Sequence, residues 1–121
     1  MSAPGRKTIA IPVFGARVAS RFDCSENLLL VVAENGTVKK KERIKLFQRH
    51  PQEKIAALAR LGVDVLICGG ISDMNVTRLG QRNIDVIPWM QGNAEEILER
   101  FLAQRLAPNR MKGRNGHRPS F

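Results

Sequence analysis

Cysteine is scarce. Cys24 and Cys68 are the only two in 121 residues, which excludes a disulfide framework and suits a reducing cytoplasm. Neither a C-x-x-C nor an H-x-x-x-H spacing occurs, so no zinc signature is present. No apolar run approaches the roughly 20 residues of a membrane helix. The opening "MSAPGRKTIAIPVFG" has no apolar segment of signal-peptide length before its first charges, so no export signal is expected. Internal repeats are missing. Acids are few, 11 against 20 lysines and arginines. The last stretch, "RLAPNRMKGRNGHRPSF", has none at all while carrying Arg105, Arg110, Lys112, Arg114 and Arg118.

What remains is the composition of one soluble globular domain, 43% hydrophobic and 26% charged, long enough to bury a core. Residues 1–6 read as a flexible N-terminus, 7–104 as a single α/β domain, and 105–121 as a basic, disordered tail containing His117. The net charge of +9 calls for an anionic partner or serves solubility. A basic tail of this composition solvates or makes loose contacts and does not imply specific nucleic-acid recognition.

The hydrophobic period gives the elements. "KTIAIPVF" (7–14) alternates as a first strand, and "NLLLVVAE" (27–34), apolar on both faces, is an interior second strand. Asn35-Gly36 is a hairpin signal. "VKKKERIKLF" (38–47) is a third strand whose Lys39, Lys40, Lys41, Arg43 and Lys45 suit a sheet edge. The period then changes to 3.6. "HPQEKIAALARLG" (50–62) is a helix with Pro51 at its start and Gly62 as its stop. "VDVLIC" (63–68) is a buried strand, and "SDMNVTRLGQRN" (72–83) is a helix capped by Ser72 or Asp73. "IDVIPW" (84–89) is the last strand, and "GNAEEILERFLAQRL" (92–106) is a helix capped by Asn93. The order is βββαβαβα. Hairpins and right-handed crossovers then predict a mixed five-stranded sheet, with its strands in the order 3-2-1-4-5 and helices on both faces.

Chain direction brings the ends of strands one, three, four and five to one rim, where open sheets bind ligands. Cys24, His50, Cys68 and Met90 fall at or near it, with Arg17, Arg21 and Arg49. Gly69 and Gly70 would let a guest approach the backbone, and Ile71 and Ser72 lead into a helix start, which favours anions. Thiolate, imidazole and thioether are soft ligands, suited to iron–sulfur or copper centres. The same residues have plainer roles. Cys68 can be a small core residue, His50 can cap its helix, and Trp89 and Met90 can be packing. Cys24, in a polar loop beside Arg21, is the residue whose thiolate would be stabilised.

"IAIPV", "VASRFDCSENLLLVV", "LARLGVDVLICGGIS" and "NAEEILERFL" together resemble the dinitrogenase iron–molybdenum cofactor biosynthesis family over about residues 7–104. The resemblance implies a ribonuclease H-like fold and a non-catalytic carrier of an iron- or molybdenum-containing sulfur cluster or its precursor. Its partners would be metal-cofactor assembly or acceptor proteins. The family's first-loop segment usually reads Ser-x-His-Phe-Gly. Here Ser20 is followed directly by Arg21 and Phe22, so Arg21 takes the histidine position and Asp23 that of the glycine. Cys24 becomes the nearby metal candidate, with His50, where the family often has histidine or asparagine, and Cys68 after it. Arg21, Gly69, Gly70, Ile71 and Ser72 complete the expected cluster-binding set. Ribonuclease activity is not expected, because "IAIPVF" carries no carboxylate for the two metal ions such chemistry needs. The competing expectation is an interaction protein that docks acidic partners or RNA through its basic edge and tail. A third, redox sensing, would need Cys24 to be accessible and of low pKa.

Overall fold

Ile9, Ile11 and Val13 point to one face of the first strand and Ala10 to the other, and all four are buried. A strand apolar on both faces belongs in the middle of a sheet with a layer on each side. The computed structural model, which describes residues 5–47 and 49–103, has that arrangement. β1 (Arg6–Phe14) lies at the centre of a six-stranded mixed sheet. β3 (Asn27–Glu34) pairs antiparallel with it from Arg6↔Glu34 to Val13↔Asn27. β4 (Thr37–Lys45) pairs antiparallel with β3 and forms one edge. On the other side, β5 (Val65–Ile67) runs parallel to β1, and β6 (Asp85–Ile87) runs parallel to β5.

The sixth strand is one the sequence pattern did not reveal. β2 (Arg17–Val18) is two residues long and folds back on the end of β1, with pairs Val13↔Val18 and Phe14↔Arg17. The reversal passes through Gly15 at φ +64°, which glycine reaches without strain. Two residues are too few for a period, so the sequence showed only loop there.

The β3–β4 hairpin turns at Asn35 and Gly36, with φ of 52° and 82°, as a two-residue turn of this type requires. The register then shifts, Val32 facing Lys40 and Ala33 facing Val38, so Lys39 is the extra residue of a bulge. Eight of the nine residues of β4 are exposed. Lysines and a bulge on an edge strand both oppose pairing with another chain.

Each helix packs by its apolar stripe. α1 (Pro51–Arg60) and α2 (Asp73–Gln81) supply Ile55, Leu58, Val76 and Leu79 to a core built on Ala10, Leu28, Leu30 and Leu66. α3 (Ala94–Leu102) supplies Ala94, Ile97 and Leu98 to a second core on the opposite face, with Ile9, Ile11, Leu29 and Val31. Fully burying each of the valine, leucine and isoleucine side chains among these is worth about 1.5–3 kcal/mol. The caps are those the sequence suggested for α2 and α3. Ser72 Oγ accepts from the Asn75 amide at 3.2 Å and Asn93 Oδ1 from that of Glu96 at 3.0 Å. At α1, Pro51 opens the helix, and His50 caps through its backbone carbonyl with no side-chain bond.

β1, β4, β5 and β6 point the same way, so their ends and the three helix starts share one rim. The expected tail, residues 105–121, lies outside the described residues. Of the expected flexible start, Gly5 and Arg6 are described, and Arg6 already pairs with Glu34.

Candidate functional site

The loop from Gly15 to Glu26 crosses this rim and is fastened at several points. Val18 donates its amide to Gly92 O at 2.9 Å, and Ala19 donates to Pro12 O at 2.8 Å. The chain then lies against the turn after β5. Gly70 donates to Ser20 O at 2.7 Å, and Phe22 donates to Gly70 O at 2.8 Å, a one-residue parallel bridge between Arg21 and Gly70. A Cβ on Gly69 would stand 2.5 Å from Ala19 O and 2.6 Å from Ser20 O. Glycine at 69 is therefore a packing requirement. The guest that this turn admits is the chain's own loop.

The neighbouring residues of the turn are placed by the same packing. The Gly70 amide is engaged within the chain, Ile71 is buried, and the Ser72 hydroxyl caps α2. Gly69, Gly70, Ile71 and Ser72 line neither of the clefts described below. Cys68 lies deeper, in the core. It sits just past β5 with no exposed surface, its backbone bonded to Ile87 and Met90. Burial, with a smaller contribution from Asp23, pushes its thiol up to about 12, so at neutral pH the free thiol is protonated and packs as a core residue.

The loop's second half contains what the sequence did not announce. Phe22 is fully buried in the core. From α1, Lys54 reaches under the loop with only 2% of its surface exposed. Its ammonium donates to the carbonyls of Asp23 at 2.6 Å, Ser25 at 2.8 Å and Phe22 at 3.4 Å. An ammonium has three protons, and three carbonyls face it. Desolvation lowers the Lys54 pKa, opposed by the nearby Cys24, Asp23 and Glu26. The Ser25 hydroxyl donates to Phe22 O at 2.8 Å, and Asn75 of α2 donates to Asp23 Oδ1 at 3.0 Å. Cys24 is thus carried on a segment tied to α1 through its backbone and to α2 through the Asp23 carboxylate. The one available hint was a lysine four residues before Leu58, on the stripe that Ile55 and Leu58 share.

Cys24 itself is exposed and lies where two clefts meet. The first, about 460 Å³, is lined by Val13, Phe14, Val18, Ala19, Arg17 and Arg21 among others. The second, about 420 Å³, is lined by Asp23, Lys45, Phe47, Arg49 and Lys54 among others. Both include Cys24, Ser25 and Glu26. Five cationic side chains against two carboxylates give the pair a positive balance, which favours an anionic guest. His50 is exposed at the start of α1 and lines neither cleft. Met90 packs partly against the core of α3. Among the described residues no group of three or more His, Cys, Asp or Glu is arranged to hold a metal ion, so Cys24, His50 and Cys68 are not gathered into one ligand set. Cys24 is the one soft ligand of the three at the clefts.

Comparison with known proteins gives a consistent picture. Residues 5–104 match the family model described as dinitrogenase iron-molybdenum cofactor. An uncharacterised protein of Methanocaldococcus jannaschii is 27% identical over 103 residues, covering 81% of this chain and 87% of that protein. The apo form of the orange protein from Desulfovibrio gigas superposes with a TM-score of 0.69 at 21% identity, over 85% of this chain and 96% of the other. A proposed dinitrogenase from Methanocaldococcus jannaschii superposes with a TM-score of 0.69 at 18% identity, over 84% and 93%. At these identities the structural likenesses establish a shared fold.

Proposed function

Since this chain belongs to the dinitrogenase iron-molybdenum cofactor family, we propose that it is a carrier for an anionic iron- or molybdenum-containing sulfur cluster, or a precursor, in metallocofactor assembly. The cluster is cargo, and no turnover is part of this reading. One observation carries it. A single exposed cysteine, Cys24, stands at the junction of two cationic clefts on a loop clamped by the buried Lys54.

The roles follow from chemistry. Cys24 supplies the one soft donor, and its thiolate bonds readily to iron or copper and poorly to magnesium. Arg17 and Arg21, exposed beside it, balance the charge of the cargo. Lys54, at the base of the second cleft, directs its ammonium to the loop carbonyls and acts through the backbone that it holds. A single protein thiolate with exposed cations gives an attachment that another thiol can displace, as a carrier needs. Partners are accordingly assembly or acceptor proteins that hand over or receive the cluster. No described helix is long and apolar enough to cross a membrane.

Anaerobic reconstitution with iron, sulfide and molybdate tests the proposal. Wild type should gain visible charge-transfer absorption and bound metal, and Cys24→Ser should gain neither. Cys68→Ala should behave as wild type. Equal loading of the Cys24→Ser protein would refute the reading.

A further inference from the structure

Among the described residues, six large hydrophobic side chains are exposed, and their exposure is not scattered. Phe14 at 81%, Phe47 at 80%, Trp89 at 69% and Met74 at 61% are the four most exposed. Phe14 ends β1, Phe47 follows β4, Met74 is in the first turn of α2, and Trp89 follows β6, so all four stand on the rim around Cys24. The other two, Leu61 after α1 and Val38 early in β4, lie at the opposite end and are only 42% and 37% exposed.

Trp89 adds an independent observation. Its φ is +63°, a backbone conformation that bulky residues seldom adopt. Bonds on either side enforce it, from the Trp89 amide to Gly69 O and from the Met90 amide to Cys68 O, each 2.9 Å. A Cβ on Gly70 would stand 3.2 Å from the indole, so the ring lies over the turn where Arg21 crosses. The fold holds its single tryptophan in water at a conformational cost, where burial would have been favourable.

Tryptophan, phenylalanine, methionine and arginine are the side chains enriched at protein interfaces, with lysine depleted. The rim carries Trp89, Phe14, Phe47 and Met74 with Arg17, Arg21 and Arg49, joined by Lys45 at the second cleft, whereas Lys39, Lys40 and Lys41 lie along the β4 edge. We propose that this rim is a protein-docking face whose partner presents apolar side chains fringed by carboxylates. The clefts' positive balance supplies the complementarity. It also disfavours a second copy of this chain, which would bring the same cations face to face. Asp23 and Glu26 in the clefts oppose a continuous run of phosphates, so a protein is favoured over a nucleic acid. Docking here would cover Cys24, but the inference stands on exposure and charge and needs no cargo.

Trp89 fluorescence tests it in the full, cargo-free chain. The probes are a tryptophan-free peptide alternating glutamate with leucine and phenylalanine, an all-glutamate peptide of equal charge, and an oligothymidylate. The amphipathic acidic peptide should change the emission saturably. Phe14→Ser, Phe47→Ser and Arg17→Glu should each weaken it about fivefold or more, and Leu61→Ser should leave it unchanged. The proposal is overturned if the amphipathic peptide gives no change up to about 1 mM. Equal binding of the all-glutamate peptide, or tighter binding of the oligothymidylate, also overturns it. So does a dimer, seen by sedimentation, that Phe14→Ser dissolves.

Discussion

Cys68 has no exposed surface and Cys24 stands open, so a bulky disulfide reagent should modify one thiol of the native protein and two after denaturation. Modification of both in the native state would contradict the burial. The same contrast has a pH signature. The Cys68 thiol ionises near 9.0 when unfolded and holds its proton to about 12 when folded. Below 9 both states are protonated and the group's contribution is whole. Between 9 and 12 only the unfolded state ionises, so stability falls by up to about 1.4 kcal/mol per pH unit. Cys68→Ala removes that dependence. Denaturant midpoints of the two proteins should therefore converge as the pH rises through this window, and a constant gap would count against it. Glycines separate as sharply. Gly69→Ala drives a Cβ into two backbone carbonyls and should destabilise by several kcal/mol, on the order of 3. Gly80→Ala, in α2 with nothing within 4 Å, should stabilise by up to about 1 kcal/mol. At this scale the sequence was a partial guide. Two glycines marked a close approach, and only the folded chain reveals that its own loop makes it.

At the scale of elements, the joint between α1 and the Cys24 loop is the feature with most consequence. Lys54→Met keeps length and apolar stem but leaves the carbonyls of Asp23 and Ser25 without their shared donor, while Phe22 O keeps the Ser25 hydroxyl. Each orphaned carbonyl costs about 1–3 kcal/mol before relaxation. The variant should lose about 3 kcal/mol of stability, and amide exchange should quicken in residues 22–26 while the β1–β3 ladder stays protected. Unchanged exchange in that loop would show that Lys54 does not hold it. Helices and long strands were legible because their periods, the Ser72 and Asn93 caps and the Asn35-Gly36 turn agree. β2 was not, being shorter than any period, and Lys54 was not, since a lysine on an apolar stripe ordinarily snorkels to solvent. Here it ends on carbonyls supplied from residues about 30 positions earlier, a long-range pairing that local pattern does not encode.

The whole molecule converts chain direction into a shared rim. Because β1, β4, β5 and β6 share a direction, segments remote in sequence finish at one rim, and the mixed α/β architecture with helices on both faces could be read from element order. Which residues at that rim face outward could not. Cys24 and Arg21 do, while Cys68 and the Gly69–Gly70 turn are occupied by the fold itself. The charge of the β4 edge is partly engaged within the molecule, Lys41 meeting Glu95 at 2.8 Å. The apolar side chains crowd the opposite feature, the rim, so the cargo and its partner would meet the protein at one place. Native mass spectrometry after anaerobic loading with iron, sulfide and molybdate measures this most directly, comparing the full chain, a chain lacking residues 107–121, and Cys24→Ser. The first two should retain the same metal–sulfur mass increment and Cys24→Ser should retain none. An increment that persists in Cys24→Ser, or that disappears with the basic tail, would place the cargo elsewhere than the Cys24 clefts.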